Sequence, residues 1–110
     1  MIYVFDLDGT ICSTTNGNYE TAEPYFDRIE KINKLFDQGH EITIYTARGM
    51  RTSSNNATKA YQKYYCLTSK QLADWNVKYH NLFLGKPAGD MYVDDKGINH
   101  EDYFGTIVYP

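Results

Sequence analysis

Asp6 and Asp8 stand one residue apart in Phe5-Asp6-Leu7-Asp8-Gly9-Thr10, at the point where the apolar run Ile2 to Phe5 gives way to glycine. A buried strand that empties into Asp-x-Asp-Gly presents both acids at its carboxyl end, the edge at which open α/β sheets bind ligands. Two carboxylates this close repel each other, so a positive partner has to compensate them, most simply a divalent cation. Taken alone, the hexapeptide also reads as a surface turn in which Asp and Gly serve only the turn geometry.

Three later segments argue against a mere turn. The strand-like run Glu41 to Tyr45 ends in Thr46-Ala47-Arg48, Lys86 follows the apolar run Leu82 to Leu84, and Met91-Tyr92-Val93 delivers Asp94-Asp95. An acid, a hydroxyl, an ammonium and a second acidic pair, each at the end of a strand-like run and in this order, resemble the four motifs of the haloacid dehalogenase superfamily. The resemblance implies hydrolysis of a phosphate monoester through an aspartyl-phosphate. In that chemistry Asp6 attacks phosphorus, and Asp8 protonates the leaving oxygen and later activates water. Thr46 hydrogen-bonds the transferring phosphoryl, and Lys86 neutralises Asp6 and the phosphoryl oxygens. Dehalogenases of the superfamily lack an acid at the position of Asp8 and ion pumps carry threonine there, so Asp8 favours a phosphatase or phosphomutase.

The same resemblance implies Mg2+, held by Asp6, the backbone carbonyl of Asp8 and one of Asp94 and Asp95. Asp95 aligns as the direct ligand and Asp94 as its support. Gly9 lets the chain turn tightly beside the phosphate, and Thr10 is placed to orient Asp8. Arg48 and Arg51 lie with Ala47 in a glycine-containing loop just after Thr46, and are candidate substrate contacts. Acceleration of phosphate monoester hydrolysis reaches about 10²¹-fold, so charge neutralisation and positioning have to be extensive.

Between these motifs the chain alternates strand and helix. Pro24 opens a helical run with Tyr25, Ile29, Ile32, Leu35 and Phe36 on one face, and Gly39 stops it. A second helix carries Ala57, Ala60, Tyr61, Tyr64 and Tyr65 at helical spacing, which predicts a buried stripe. Thr68 and Gln71 have capping-box spacing and predict a separate short helix through Trp75, with Asn76 at its end. Tyr79 to Leu84, Met91 to Val93 and Thr106 to Tyr109 read as strands. The expected architecture is α/β: a three-layer, Rossmann-like fold with a mainly parallel sheet of about five strands and helices on both faces. Only Gly85 to Asp90 separates two of these strands, although a parallel crossover ordinarily takes a dozen residues or more.

At 110 residues, residues 1–110 are read as a single domain. The first connection offers only about Ile11 to Glu23 and the second Gly85 to Asp90, neither long enough to fold as a cap. A capless, open site is therefore expected, covered by the Cys12 to Tyr19 loop or by a second subunit. The net charge of −3 conceals an asymmetry. Residues 47 to 80 hold six cations against the single acid Asp74, a local +5 that leaves −8 for the rest and could attract an anionic substrate. Its lysines also fit a solvated helix face.

Cys12 and Cys66 form no CxxC pair and the three histidines lack zinc-ligand spacing, so a disulfide or zinc framework is not expected. With no basic leader and no membrane-length apolar run, a cytoplasmic protein is expected. The segments IYTARG and GKPAGDMYVDDK are similar to short capless superfamily members associated with bacterial surface-polysaccharide biosynthesis, which implies a phosphorylated sugar or polyol as substrate. A polynucleotide-end or phosphoprotein phosphatase is the alternative enzyme, but net acidity and one Trp provide no basic, aromatic groove for a nucleic acid strand. A phosphoacceptor domain is the non-catalytic alternative. Such domains place paired acids at the first strand and the acceptor Asp at the third, unlike Asp-x-Asp with a late Asp94-Asp95.

Overall fold

The computed structural model describes residues 1–105. Three parallel strands, β1 (Ile2–Phe5), β2 (Glu41–Thr46) and β3 (Asn81–Leu84), form one sheet in the order β1-β2-β3. Helix α1 (Phe26–Asp37) connects β1 to β2, α2 (Ala57–Asp74) connects β2 to β3, and the short α3 (His100–Phe104) follows a long irregular run.

Strand pairing places residues of like parity on one face. Tyr3 and Phe5 pair with Ile42 and Ile44, and Ile44 with Leu82, so these six positions share a side. That side is the core: Phe5, Ile42, Ile44 and Leu82 pack with Ile29 and Ile32 of α1, Leu72 of α2 and Phe104 of α3. The opposite side carries Ile2, Val4 and Phe83, all more than half exposed. The expected three-layer fold with about five strands is therefore corrected to two layers, a three-stranded sheet with its helices on one face. Met91–Val93 forms no strand. Its side chains are exposed and make no ladder, which also removes the need for a parallel crossover inside Gly85 to Asp90. The expected strand Thr106 to Tyr109 lies outside the described residues.

Helix α1 follows the sequence pattern closely. Ile29 and Ile32 are buried, Leu35 and Phe36 pack at their margin, and Gly39 at φ +92° turns the chain out of the helix. Helix α2 departs from it. The segment Thr68 to Gln71 opens no new helix but lies in the middle of one continuous 18-residue helix. The tyrosine stripe is only partly covered, with Tyr61 half exposed, and the buried positions are Ala60, Thr68, Gln71 and Leu72. Asn76 does mark the end, in the left-handed conformation at φ 58°. Short α3 is held by Phe104 against Phe5 and by Arg28, whose guanidinium lies over the Phe104 ring and meets His100 Nδ1 at 2.9 Å.

The turn after β2 has no room to spare. Gly49 sits at φ +77°, and a Cβ there would stand 2.6 Å from the ring of Tyr64. Gly17 has a similar φ of +90° with nothing within 4 Å. Gly17→Ala is expected to cost only the left-handed strain, about 1 kcal/mol. Gly49→Ala adds overpacking of about 1–3 kcal/mol. Paired urea titrations check this, and equal losses in the two variants would contradict the packing argument.

Candidate active site

The acidic loop is a tight turn around one carbonyl. Leu7 O accepts the amides of Thr10, Ile11 and Cys12, at 3.0, 2.8 and 3.3 Å, and Gly9 N donates to Cys12 O at 2.7 Å with Gly9 at φ +83°. Leu7, Ile11 and Cys12 are buried beneath it. Arg28 Nη1 donates to Thr10 O at 3.0 Å, anchoring the far side of the loop to α1. The turn is thus rigid, and it holds Asp6 and Asp8 at the carboxyl end of β1.

Asp6 faces the end of β3. Its Oδ1 lies 3.5 Å from Lys86 Nζ, and its Oδ2 accepts the Thr10 hydroxyl at 3.3 Å. Thr10 therefore orients Asp6 rather than Asp8, the partner expected from sequence. Burial pushes the Asp6 carboxyl above the usual carboxylate range. Lys86 and the Leu7 amide oppose that rise, and the charge of Asp8 adds to it. Lys86 is positioned by its own amide, which donates to Thr46 O at 3.2 Å, and by the Tyr92 ring, 4.4 Å from its ammonium. The Tyr92 hydroxyl donates to Pro87 O at 2.6 Å and accepts the Gly89 amide, closing that loop on itself. The connection is further tied to the loop after β2, because Ala88 N donates to Asn55 Oδ1 at 2.9 Å.

Asp8 faces a different partner. Arg48 Nε donates to its Oδ2 and Arg48 Nη2 to its Oδ1, both at 3.0 Å, a two-pronged pair. The Arg48 side chain is fully buried and Asp8 retains 20% exposure. Nη1 donates to Gln71 Oε1 at 2.6 Å and to Thr68 Oγ1 at 3.2 Å, and the guanidinium lies 4.9 Å from the ring centre of Tyr19. Tyr19 is in turn fixed by Gln71 Nε2 on its carbonyl and by Gly49 N on its hydroxyl. Arg48 is thus turned inward onto Asp8, whereas the sequence reading had it facing substrate. Arg51 is exposed and lies 3.7 Å from the equally exposed Asp90.

Thr46 is buried at the end of β2, and its Oγ1 accepts the Arg48 amide at 3.2 Å, leaving its own proton for another acceptor. Ala47 is half-buried in the following turn and accepts the Met50 amide. Asp94 and Asp95 are not gathered with these groups. The run 89–99 is exposed throughout, and Asp94 Oδ1 accepts the amides of Lys96 and Gly97, which hold its carboxyl below the usual range. Among the described residues no group of three or more His, Cys, Asp or Glu side chains is disposed to hold a metal ion. The ligand set implied for Mg2+ is therefore not assembled, and no chemical step is derived through it below.

Cys12 lies under Asp8, with Sγ 3.5 Å from Oδ1. Burial, reinforced by the Asp8 charge, pushes its thiol up to about 12, so it is a packing group rather than a nucleophile. Sequence reasoning missed three groups that build the site: Tyr19, Thr68 and Gln71. The usable signal was the pair Thr68 and Gln71, three apart on a helix and hence on one face, where two polar residues amid apolar neighbours require a buried partner.

No protein-family model matches the chain, and no curated protein matches it. Among solved structures, the chain is similar to a structural-genomics target from Vibrio cholerae. The two share 29% identity and a TM-score of 0.86 over 96% of this chain and 88% of that one. Among the described residues no helix is long and apolar enough to cross a membrane.

Two outcomes follow from these pairings. Arg48→Ala leaves Asp8 without its partner and should cost about 3 kcal/mol, whereas adding Asp8→Asn should recover part of that loss. A double-mutant cycle measured by urea unfolding decides this, and additive losses would mean the pair is not coupled. For Asp6 the folded-state pKa is raised, so the folded protein binds the proton more tightly than the unfolded chain. Asp6 therefore lowers stability as pH rises from the unfolded value near 3.8 through the folded one. Asp6→Asn should accordingly raise Tm at pH 7, with the gain shrinking toward pH 4, and a constant or reversed difference would refute that sign.

Proposed function

We propose that this protein is a phosphomonoester hydrolase acting through a covalent Asp6 phosphate on a small phosphorylated metabolite, a sugar or polyol phosphate, in the cytoplasm. One observation carries the reading: a desolvated carboxylate, a buried hydroxyl and an ammonium meet at the carboxyl ends of three adjacent parallel strands. Asp6 and Lys86 are 3.5 Å apart, and Lys86 is tied to Thr46 through its amide. The same residues, in this chain order, carry the resemblance to the haloacid dehalogenase motifs. The sugar or polyol class rests on the likeness of the IYTARG and GKPAGDMYVDDK segments alone.

The chemistry proceeds as follows. An Asp6 oxygen attacks phosphorus, and the bond from phosphorus to the ester oxygen breaks with its electron pair on that oxygen. Asp8 supplies the proton that the departing oxygen takes up. Lys86 and the Thr46 hydroxyl neutralise and orient the equatorial oxygens. Water then attacks the same phosphorus, Asp8 takes back a proton, and cleavage of the Asp6–phosphorus bond releases inorganic phosphate and regenerates both acids. Arg48, bound to both Asp8 oxygens, keeps that carboxyl aimed throughout, while Thr10 fixes the rotamer of Asp6.

Phosphate release from a panel of sugar phosphates, nucleotides, a phosphopeptide and 3′-phosphorylated oligonucleotides tests the reading, with the sugar phosphates expected to give the highest kcat/KM. Asp6→Asn should lower turnover about 10³-fold or more while remaining folded. Substantial activity in the folded variant would rule out the covalent route. A clear preference for oligonucleotide ends or phosphopeptide would transfer the function to those substrates.

A further inference from the structure

A pocket of about 360 Å³ opens between the turn after β2 and the first turns of α2. Gly49 and Tyr64 form its inner wall, while Ser53, Ser54, Lys59 and Lys63 line the rest together with Thr52 and Ala60. None of the lining residues is acidic. Lys59 and Lys63 stand one helical turn apart and hence on one face of α2. Among the described residues neither ammonium is paired with a carboxylate. The charged contact of Lys63 is the Tyr64 ring, 5.3 Å away on the pocket wall.

The hydroxyls divide into two kinds. Ser53 serves the loop itself, accepting the Asn56 amide at 3.2 Å, while the Ser54 hydroxyl makes no hydrogen bond among the described residues. The pocket thus offers two uncompensated cations and a free hydroxyl, with no acid among its lining residues, a donor set for an anion carried on a polar scaffold.

Its position relative to the reacting centre follows from the chain. Gly49 is three residues beyond Thr46, so the pocket wall lies within about 11 Å of the Thr46 Cα. The intervening turn is held by the Gly49 amide on the Tyr19 hydroxyl and by Asn55, which bonds the connection carrying Lys86. A sugar-sized molecule bound by its phosphoryl at Asp6 and Lys86 can direct its far end toward this pocket.

We infer that the pocket is a second anion subsite, and that the preferred substrate carries a further anionic group, phosphate or carboxylate, at the end of a polyhydroxyl scaffold away from the reacting phosphoryl. This deepens the proposed function and rests on it for the position of the reacting end. It differs from the sequence-level expectation, which assigned this recognition to Arg48 and Arg51. Arg48 is committed to Asp8, and the lysines attributed there to a solvated face line the pocket.

The test separates the subsite from the catalytic reading. The full chain bearing Asp6→Asn is titrated with glucose 1-phosphate and with glucose 1,6-bisphosphate, followed by amide chemical shifts. Both sugars should move the amides around Asp6, whereas only the bisphosphate should move those of Ser54 and Lys59 and should bind about tenfold more tightly at low salt. Lys59→Gln with Lys63→Gln should bring the bisphosphate to the affinity of the monophosphate and leave monophosphate binding and the melting temperature unchanged. Ser54 and Lys59 amides that do not respond to the bisphosphate, or a double variant that binds it undiminished, would overturn the subsite. Specific bisphosphate binding in a wild-type protein that releases no phosphate would preserve the subsite and overturn the hydrolase reading.

Discussion

The buried guanidinium of Arg48 is the constraint around which the rest of this molecule is arranged. A charge removed from water costs several kcal/mol unless every donor finds an acceptor, and breaking such a pair leaves the cost uncompensated. Arg48 meets the requirement with groups from three distant stretches of chain: Asp8 from the turn after β1, Thr68 and Gln71 from the middle of α2, and the ring of Tyr19. Each stretch is thereby fixed relative to the others. The acidic turn cannot shift without stranding a cation, and α2 cannot rotate without losing two polar contacts at its buried face. The loop bearing Tyr19 is drawn down over the pair, as a cover supplied by the chain itself.

The two aspartates, one residue apart, consequently have opposite electrostatic situations. Asp8 has a guanidinium on both oxygens. Asp6 is desolvated, feels Asp8, and receives one ammonium at 3.5 Å together with one hydroxyl and one amide, so its charge is only partly compensated. An under-compensated carboxylate beside a cation at a strand end is a reactive arrangement rather than a stabilising one. The apolar layer below supports it, since Leu7, Ile11 and Cys12 are fully buried and hold the turn in place.

The sheet explains why the site gathers where it does. Parallel strands all present their carboxyl ends on one edge, so Asp6, Thr46 and Lys86 are brought to that edge by topology alone. Asp94 and Asp95 are excluded from it because their segment pairs with no strand, and the Asp94 carboxylate is already satisfied by the amides of Lys96 and Gly97. The helices cover one face only, leaving Ile2, Val4 and Phe83 exposed on the other, so nonpolar burial is concentrated on the side that carries the acidic turn.

Local features of this protein were decided by the sequence itself. The apolar runs before Asp6, Thr46 and Lys86 form strands because β-branched and aromatic residues there can be buried, and glycine or polar residues end them. Helix α1 follows from its apolar spacing and from Gly39, and Asn76 ends α2 because Asn tolerates the left-handed conformation. Tertiary structure decided the remainder, since it depends on which partner lies across a gap. Thr68 and Gln71 have the spacing of a cap, yet they sit inside a longer helix because a buried guanidinium needs acceptors at that height. Arg48, in an exposed-looking loop, turns inward because Asp8 is the nearest charge that can satisfy it. Met91 to Val93 has strand composition but meets no free neighbouring edge. Propensity is a property of a segment, whereas pairing and charge compensation belong to the segments it meets, and these are set only when the chain folds.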